Sequence, residues 1–357
     1  MTITRSIFLT GFPGFIASRL VERLACPGTE FFLLVQPQFV DSAMGLIGSI
    51  ARAKNVPLEN FVLVDGDITK PNMGIDETDL NAIRAETTDI FHLAAVYDLA
   101  VEKDIAYAVN LEGTRQINEF AKTVTNLNRY NYVSTCYVAG KRKGRILETE
   151  LQHDAGFRNH YEETKYLAEL EVEQLKKKVP VTIFRPSVVV GDSKTGETAK
   201  YDGIYYLIHY LRRAPSLLRL VNVGNTNVRL NLVPVDFVVE SMAALAFDEN
   251  TEGETLALAD PAPLTTAEIF DEIAKNLSGK ASVVTPPPRL VEISLSTPIS
   301  PPITGLPLFG VPYFFIEQVY DTRIATNELA NHGIRCPRFG RYVSNLLSFV
   351  ETHPNLN

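Results

Sequence analysis

Cysteine is scarce in this chain, and positive charge is in deficit. Of 357 residues only three are cysteines (Cys26, Cys136 and Cys336), and their odd number and wide spacing exclude a disulfide framework and a zinc site as organising features. The formal net charge of −8 argues against a surface that binds nucleic acid. The composition therefore favours a protein whose partner is a small molecule.

Metal-ligand spacing and an export signal are also missing. The six histidines lack ligand spacing with one another or with cysteine, so no metal site is predicted. The N-terminal MTITRSIFL enters a strand-like run within a few residues and leaves no room for the basic and apolar parts of a secretion signal. Together with the low cysteine content, this predicts a cytoplasmic protein.

One long stretch carries no charge at all. Residues 293–316 (ISLSTPISPPITGLPLFGVPYFFI) contain five prolines and two glycines, which would break the helix that a lipid core demands. We therefore expect no transmembrane segment. Three interpretations stay open: a proline-stiffened loop packed on the core, a lid over an apolar substrate, or a peripheral contact with a membrane.

Apolar runs alternate with segments of helical period over the first half of the chain. The alternation predicts an α/β fold, a Rossmann doubly wound parallel sheet with a smaller C-terminal substrate-binding lobe. We place the dinucleotide-binding domain at 1–190, with 228–258 returning to it, and the substrate-binding cap lobe at 191–357. The predicted strands are SIFLTG, FFLLVQ, FVLVDGD, DIFHLAA, NYVST and VTIFRPS.

A glycine-containing turn joins the first predicted strand to the first helix. Gly11, Gly14 and Ala17 follow the spacing G-x-x-G-x-x-A, at which backbone amides of a helix N-terminus can meet a pyrophosphate. Taken alone, the same pattern also fits a plain strand-to-helix turn. We assign the whole turn to cofactor binding: Gly11, Phe12, Pro13, Gly14, Phe15 and Ile16.

The second predicted strand ends at Gln36, where a carboxylate would read the adenine ribose. This favours NADPH, and NADH stays open because no arginine stands there. Arg52 and Lys54 are either contacts for a 2′-phosphate or solvated helix charges. At the end of the third strand, Asp67 is placed to accept from the adenine amino group while Ile68 packs against the ring.

Tyr161 and Lys165 lie four residues apart in HYEETKYLAE, so they project from one helix face. A nearby ammonium lowers the pKa of a phenol, which makes such a pair suitable for proton transfer. The spacing alone is common in helices. The preceding strand, however, ends at Ser134 and Thr135, whose hydroxyls could bind the carbonyl oxygen that Tyr161 protonates.

The order of these motifs, from about Ile3 to Asp192, resembles the extended short-chain dehydrogenase/reductases. GDITKPNMGI, HLAAVYDL, YVSTCYVAG and RPSVVVGDSKTG are similar to the thioester reductase and fatty acyl-CoA reductase branch, the male-sterility type. The resemblance implies catalytic roles for Thr135, Tyr161 and Lys165, with Asn110 orienting the lysine through water. It also implies cofactor contacts from Ala94, Ala95, Ser134, Tyr161, Lys165, Pro186, Ser187 and Val188.

These features predict an NAD(P)H-dependent oxidoreductase that transfers hydride to the carbonyl of a hydrophobic acyl thioester, aldehyde or ketone. The resemblance implies that a thioester arrives on coenzyme A or an acyl carrier protein, and that the chain forms a homodimer. One alternative is a nucleotide-sugar epimerase or dehydratase, against which the apolar, proline-rich C-terminal part argues. The other is a non-catalytic dinucleotide-sensing protein, against which the intact Thr135, Tyr161 and Lys165 argue.

Overall fold

Parallel strand pairing organises the computed structural model, which describes residues 2–213 and 220–356. All six strands predicted from the sequence are present. The strands within the described residues are β1 (Arg5–Thr10), β2 (Thr29–Val35), β3 (Phe61–Asp65), β4 (Asp89–His92), β5 (Arg129–Val133), β6 (Gly144–Ile146), β7 (Val181–Pro186), β8 (Val188–Val190), β9 (Leu232–Pro234), β10 (Thr255–Leu258) and β11 (Gln318–Tyr320).

Seven of these strands form one parallel sheet in the order β10-β7-β5-β4-β1-β2-β3. The α/β, Rossmann-like class is therefore confirmed. The chain runs from β1 to one edge through β2 and β3, and then from β4 towards the other edge. The loops after β1 and β4 consequently diverge and leave a crevice at the carboxyl ends of the strands.

Helices cover both faces of this sheet. A π-helical segment, Tyr107–Glu112, joins α4 to α5 without a break. The α-helices of the described residues are α1 (Phe15–Leu24), α2 (Val40–Lys54), α3 (Glu77–Glu86), α4 (Lys103–Ala106), α5 (Gly113–Ala121), α6 (His160–Leu175), α7 (Ile204–Arg213), α8 (Val235–Leu245), α9 (Thr266–Ser278), α10 (Pro288–Leu295), α11 (Ser300–Thr304), α12 (Arg323–Asn331) and α13 (Val343–Thr352).

The alternation of side chains along β1 separates two apolar cores. Ile7 and Leu9 point to the core beneath α1, α2 and α8. Phe8 points to the core beneath α3, α5 and α6. Both faces are thus buried, which explains why the strand reads as an unbroken apolar run.

A third apolar core joins α7, α9 and α13 through residues such as Ile208, Phe270 and Leu346. The predicted domain boundary also places α12 in this C-terminal lobe. In the structure, however, Ala325 and Leu329 of α12 belong to the core beneath α1 and α8. The apolar face of α12 therefore packs towards the sheet, and the domain boundary stays a prediction.

The charge-free stretch 293–316 forms short helical pieces where an irregular loop was one expectation. It includes the end of α10, all of α11 and a 3₁₀ segment, Leu308–Phe314. Pro288 and Pro301 stand in first helical turns, where a missing N–H costs no hydrogen bond. Within the described ranges, no helix is both long and apolar enough to cross a membrane.

Candidate active site

A cleft of about 610 Å³ opens at the carboxyl edge of the sheet, where the strand order reverses. Thr135 lines this cleft, whereas Asn110 is buried behind it. The structure also brings every residue assigned to the cofactor to its walls: Gly11, Phe12, Pro13, Gly14, Phe15, Ile16, Gln36, Asp67, Ile68, Ala94, Ala95, Ser134, Tyr161, Lys165, Pro186, Ser187 and Val188.

The turn between β1 and α1 accepts only glycine at its two key positions. Gly11 has a φ of +95°, and an added Cβ would lie 2.8 Å from the backbone nitrogen of Ala94. A Cβ on Gly14 would lie 2.7 Å from the Gly11 carbonyl oxygen. No side chain of the described residues caps the start of α1, and its first turn has no acidic residue. Such a turn fits a pyrophosphate.

At the adenosine end of the cleft, Gln36 and Asp67 are joined by a side-chain hydrogen bond. The Asp67 carboxylate also accepts from the backbone nitrogen and the hydroxyl of Thr69, at 2.9 and 2.8 Å. Partial burial opposes these bonds, yet their balance lowers the pKa of Asp67. The group is therefore an ionised acceptor that suits an adenine amino group.

Arg52 and Lys54 stand in the last turn of α2. This helix begins next to the cleft and has 15 residues, so its last turn lies about 20 Å away, at the opposite edge of the sheet. Neither side chain lines the cleft. Of their two interpretations, a contact to a 2′-phosphate is wrong and a solvated helix charge is correct.

The side chains of Thr135 and Tyr161 are neighbours on the wall of the cleft, where hydrogen bonding by the Thr135 hydroxyl acts to lower the pKa of Tyr161. Thr135 Oγ1 accepts from the backbone nitrogen of Tyr137 at 3.2 Å, so its own hydrogen is available for Tyr161. Burial raises the pKa of Tyr161 above its ordinary value, against the opposing effect of Thr135. Tyr161 therefore keeps its proton at neutral pH, as a proton donor must.

Ser134 does not share this arrangement with Thr135. Its hydroxyl donates to Glu169, which also forms a buried ion pair with Arg185 at 2.5 Å. The hydroxyl hydrogen of Ser134 is used in this bond to Glu169. Of the two hydroxyls expected to bind the carbonyl oxygen, only that of Thr135 is therefore available. Ser134 links the end of β5 to α6 and β7.

The amine of Lys165 is directed away from Tyr161. Nζ donates to the Tyr132 hydroxyl and to the Val133 carbonyl, both at 2.9 Å. Burial lowers the pKa of Lys165 to about 7, although Glu169 opposes the shift. Burial is the largest influence on the pKa of Tyr161 in this arrangement, and the role of Lys165 in lowering that pKa stays a prediction.

Asn110 connects elements behind the cleft. Its side-chain oxygen accepts from the backbone nitrogen of Val96 at 2.9 Å, and its amide donates to Thr164 Oγ1 at 3.1 Å. Its backbone carbonyl accepts from Thr114 Oγ1 at 2.6 Å. The residue thus ties the loop after β4 to α6 and reaches Lys165 only through other side chains.

Sequence reasoning missed Tyr97, whose ring meets that of Tyr161 edge-on at 5.2 Å between centroids. Tyr97 lines both the cleft and a neighbouring cavity of about 340 Å³. The C-terminal lobe lines this second cavity with Leu306, Phe309 and Tyr313. Its position in the sequence is the signal that could identify it, because Tyr97 lies in the loop that follows a strand at the carboxyl edge of a parallel sheet.

No metal centre is found in the part of the chain that the structure describes. No group of three His, Cys, Asp or Glu side chains in residues 2–213 and 220–356 is placed to hold an ion. All three cysteines are free, and burial raises the pKa of the Cys136 thiol.

The family model described as male sterility protein, an NAD-binding domain, matches residues 9–242. The chain belongs to the male sterility protein family. It is 26% identical over 280 residues to fatty acyl-CoA reductase wat of Drosophila melanogaster, covering 68% of this chain and 54% of that protein. Human fatty acyl-CoA reductase 1 is 27% identical over 283 residues, with the same shares covered. This family member spans about half the length of these relatives.

Solved structures with the same fold include both reductases and epimerases. The terminal R domain of the myxalamid PKS-NRPS pathway aligns with a TM-score of 0.81 and 23% identity, over 100% of this chain and 93% of that one. UDP-glucuronic acid 4-epimerase from Bacillus cereus, in complex with NAD, aligns at 0.66 and 19%, over 99% and 98%. At these identities the likeness establishes the fold alone.

Proposed function

We propose that this male sterility family member is an NAD(P)H-dependent reductase that acts on the carbonyl of a hydrophobic substrate. An acyl thioester is the first candidate for that substrate, and an aldehyde or a ketone is the second. The observation that carries the proposal is the placement of neighbouring Thr135 and Tyr161 in the same cleft as the glycine turn. The cleft holds a proton donor beside a phosphate-binding turn, which is what carbonyl reduction requires.

When bound, a reduced nicotinamide supplies a hydride to the carbonyl carbon. The negative charge that develops on the carbonyl oxygen is met by hydroxyls of Thr135 and Tyr161. Tyr161 then transfers its proton to that oxygen, and its raised pKa keeps it protonated until then. The Lys165 ammonium, buried one helical turn away, stabilises the resulting phenolate. With an acyl thioester the product of this step is a hemithioacetal. Its C–S bond then breaks, the hydroxyl proton passes to the leaving sulfur, and the aldehyde and the free thiol are released.

The cavity next to the cleft supports an apolar substrate. Aromatic and aliphatic side chains of the C-terminal lobe, including Leu306, Phe309 and Phe314, form one wall of it. Tyr97 and Tyr137 line both spaces, so a substrate held there lies next to Tyr161. Several curated relatives are named fatty acyl-CoA reductases, which agrees with such a substrate.

The direct test follows NADPH and NADH absorbance with four substrates: a long-chain acyl-CoA, a fatty aldehyde, an aromatic aldehyde and a bulky ketone. We expect turnover of the acyl-CoA, with free coenzyme A and an aldehyde or alcohol as products. Turnover of aldehydes or ketones alone would identify a carbonyl reductase instead. Absence of hydride transfer to all four contradicts the proposal, and conversion of UDP-glucuronic acid would favour the epimerase alternative.

For the cofactor we propose a preference for NADPH, supported by an uncharged Gln36 at the end of β2. Gln36→Asp is expected to lower the ratio of kcat/KM for NADPH to that for NADH by roughly tenfold or more, because a carboxylate repels the 2′-phosphate and accepts from ribose hydroxyls. Steady-state kinetics with both cofactors measure this ratio.

The matched control is Gln174→Asp, which adds the same charge on an exposed side chain of α6, outside the cleft. Its cofactor ratio is expected to stay close to that of the wild type. An equal loss in both variants would mean that Gln36 does not contact the ribose.

The buried lysine predicts a pH dependence. Because the pKa of Lys165 is lowered to about 7, the ammonium is present below that pH and is lost as the pH rises through it. We expect kcat/KM for carbonyl reduction to fall above about pH 7, and the fall to disappear in Lys165→Met. Initial rates from pH 5.5 to 9 measure this, and a flat wild-type profile contradicts it.

A further inference from the structure

The fully buried side chain of Tyr132 lies directly against the reactive lysine. Its hydroxyl accepts from Lys165 Nζ at 2.9 Å, and the ammonium lies 4.5 Å from the centre of its ring. Tyr132 belongs to β5 and does not line the cleft. Tyr132 can therefore influence the reaction only through its contact with Lys165.

Behind Tyr132 lies a buried chain of hydrogen bonds. The Tyr132 hydroxyl has that of Thr114 as its hydrogen-bonding neighbour, and Thr114 Oγ1 lies 3.1 Å from His92 Nε2. His92 Nδ1 lies 2.7 Å from Thr10 Oγ1, which accepts from the backbone nitrogen of Ala94. We call the set Lys165, Tyr132, Thr114, His92 and Thr10 the lysine-holding chain.

The donor and acceptor in each hydrogen bond of the lysine-holding chain follow from the bond between Thr114 and the backbone carbonyl of Asn110. Thr114 donates its only hydroxyl hydrogen to the Asn110 carbonyl at 2.6 Å. His92 and Tyr132 must then both donate to Thr114, which uses its two lone pairs. The Tyr132 oxygen then has only lone pairs to offer to Lys165, so it can only accept a hydrogen bond from the amine.

We propose that Tyr132 is a positioning residue for the reaction, because the lysine-holding chain keeps its hydroxyl oriented as an acceptor for the Lys165 amine. The proposal rests on the proposed function for the role of Lys165 in the reaction. Two N–H groups of Lys165 are taken by Tyr132 and Val133. Protonation adds a third N–H, which is the group available to the cleft, whereas the neutral amine offers a lone pair there.

The same contact stabilises the charged form of Lys165, since a hydrogen-bond acceptor favours an ammonium over an amine. Removing the Tyr132 hydroxyl should therefore lower the pKa of Lys165 below its present value of about 7. The other titratable or charged groups around the amine are Glu169 and Tyr161 on α6, His92 on β4 and, behind Glu169, Arg185 on β7.

The first experiment uses no cofactor and no substrate. The wild type and Tyr132→Phe are labelled with ¹³C,¹⁵N-lysine, Lys165→Met assigns the signal, and its titration is followed by NMR. We expect Tyr132→Phe to lower the apparent pKa of Lys165 by about one unit. Tyr130→Phe is the matched control, because Tyr130 is equally buried on β5 but donates to Asn118 at 3.0 Å, away from the lysine.

The second experiment measures kcat/KM against pH. The fall in activity at high pH should move to lower pH by about one unit in Tyr132→Phe, with activity near pH 5.5 close to that of the wild type. Loss of packing alone would lower activity equally at every pH. Thr114→Val should shift the profile in the same direction, and Thr114→Ser, which keeps the hydroxyl, should not.

The outcomes separate the two proposals. An unchanged Lys165 titration in folded Tyr132→Phe, or a profile parallel to that of the wild type, overturns the positioning role while carbonyl reduction by the wild type still stands. Absence of hydride transfer by the wild type overturns the proposed function and, with it, the role in catalysis. A shift shared by Tyr130→Phe also contradicts the inference.

Discussion

Tyr161→Phe is expected to lower kcat for carbonyl reduction by about 10²- to 10³-fold. The substitution removes the proton that meets the developing negative charge and leaves Thr135 as the sole hydroxyl at that position. Binding of the dinucleotide depends mainly on the glycine turn, so its Kd should change by no more than about twofold. Single-turnover kinetics and calorimetric titration with NADPH measure the two effects separately.

Tyr166→Phe is the matched control for this experiment. Tyr166 is a buried tyrosine on the same helix, and its hydroxyl contacts the backbone of His153, outside the cleft. The control should keep nearly full activity. Retention of most activity in Tyr161→Phe would refute the assignment of the proton donor.

The second large effect concerns stability. Glu169→Ala is expected to lower the free energy of unfolding by about 3–5 kcal/mol, because it leaves the buried charge of Arg185 without its partner. Two backbone carbonyls, of Glu148 and Glu150, remain bonded to the guanidinium at 3.1 Å, but they carry no full charge. Ser134 also loses its acceptor. Urea denaturation followed by circular dichroism measures the change.

Glu171→Ala on the same helix provides the comparison. Glu171 also pairs with an arginine, Arg115 at 2.7 Å, but both side chains are more than a third exposed. Solvent screening limits such a pair to about 1 kcal/mol or less. Equal losses in the two variants would show that burial does not set the strength of the Glu169–Arg185 pair.

Much of the fold could be predicted from local sequence pattern. Six of the seven strands of the main sheet are predicted from segments rich in apolar residues, because both faces of that sheet are buried. The seventh, β10, has only four residues, Thr255–Leu258, and joins the sheet by pairing with β7. A run so short is not distinguishable from other apolar segments by periodicity.

Parts of the candidate site could also be predicted from local sequence pattern. The glycine turn needs its residue types partly for local reasons, the positive φ of Gly11 and the contact of Gly14 with the Gly11 carbonyl, and the spacing of Tyr161 and Lys165 places both on one helix face. Their positions at the carboxyl edge follow from the alternation of strands and helices. The sequence alone thus determined the fold class, the place of the cleft and its candidate proton donor.

The tertiary structure decided the state of each group in that cleft. Ser134 is occupied by Glu169, Tyr97 faces Tyr161, and Lys165 is held by Tyr132, 33 residues earlier in the chain. These contacts join side chains that share no local pattern. Burial and hydrogen-bond partners set the pKa values of Tyr161 and Lys165, and both depend on which segments pack together in three dimensions.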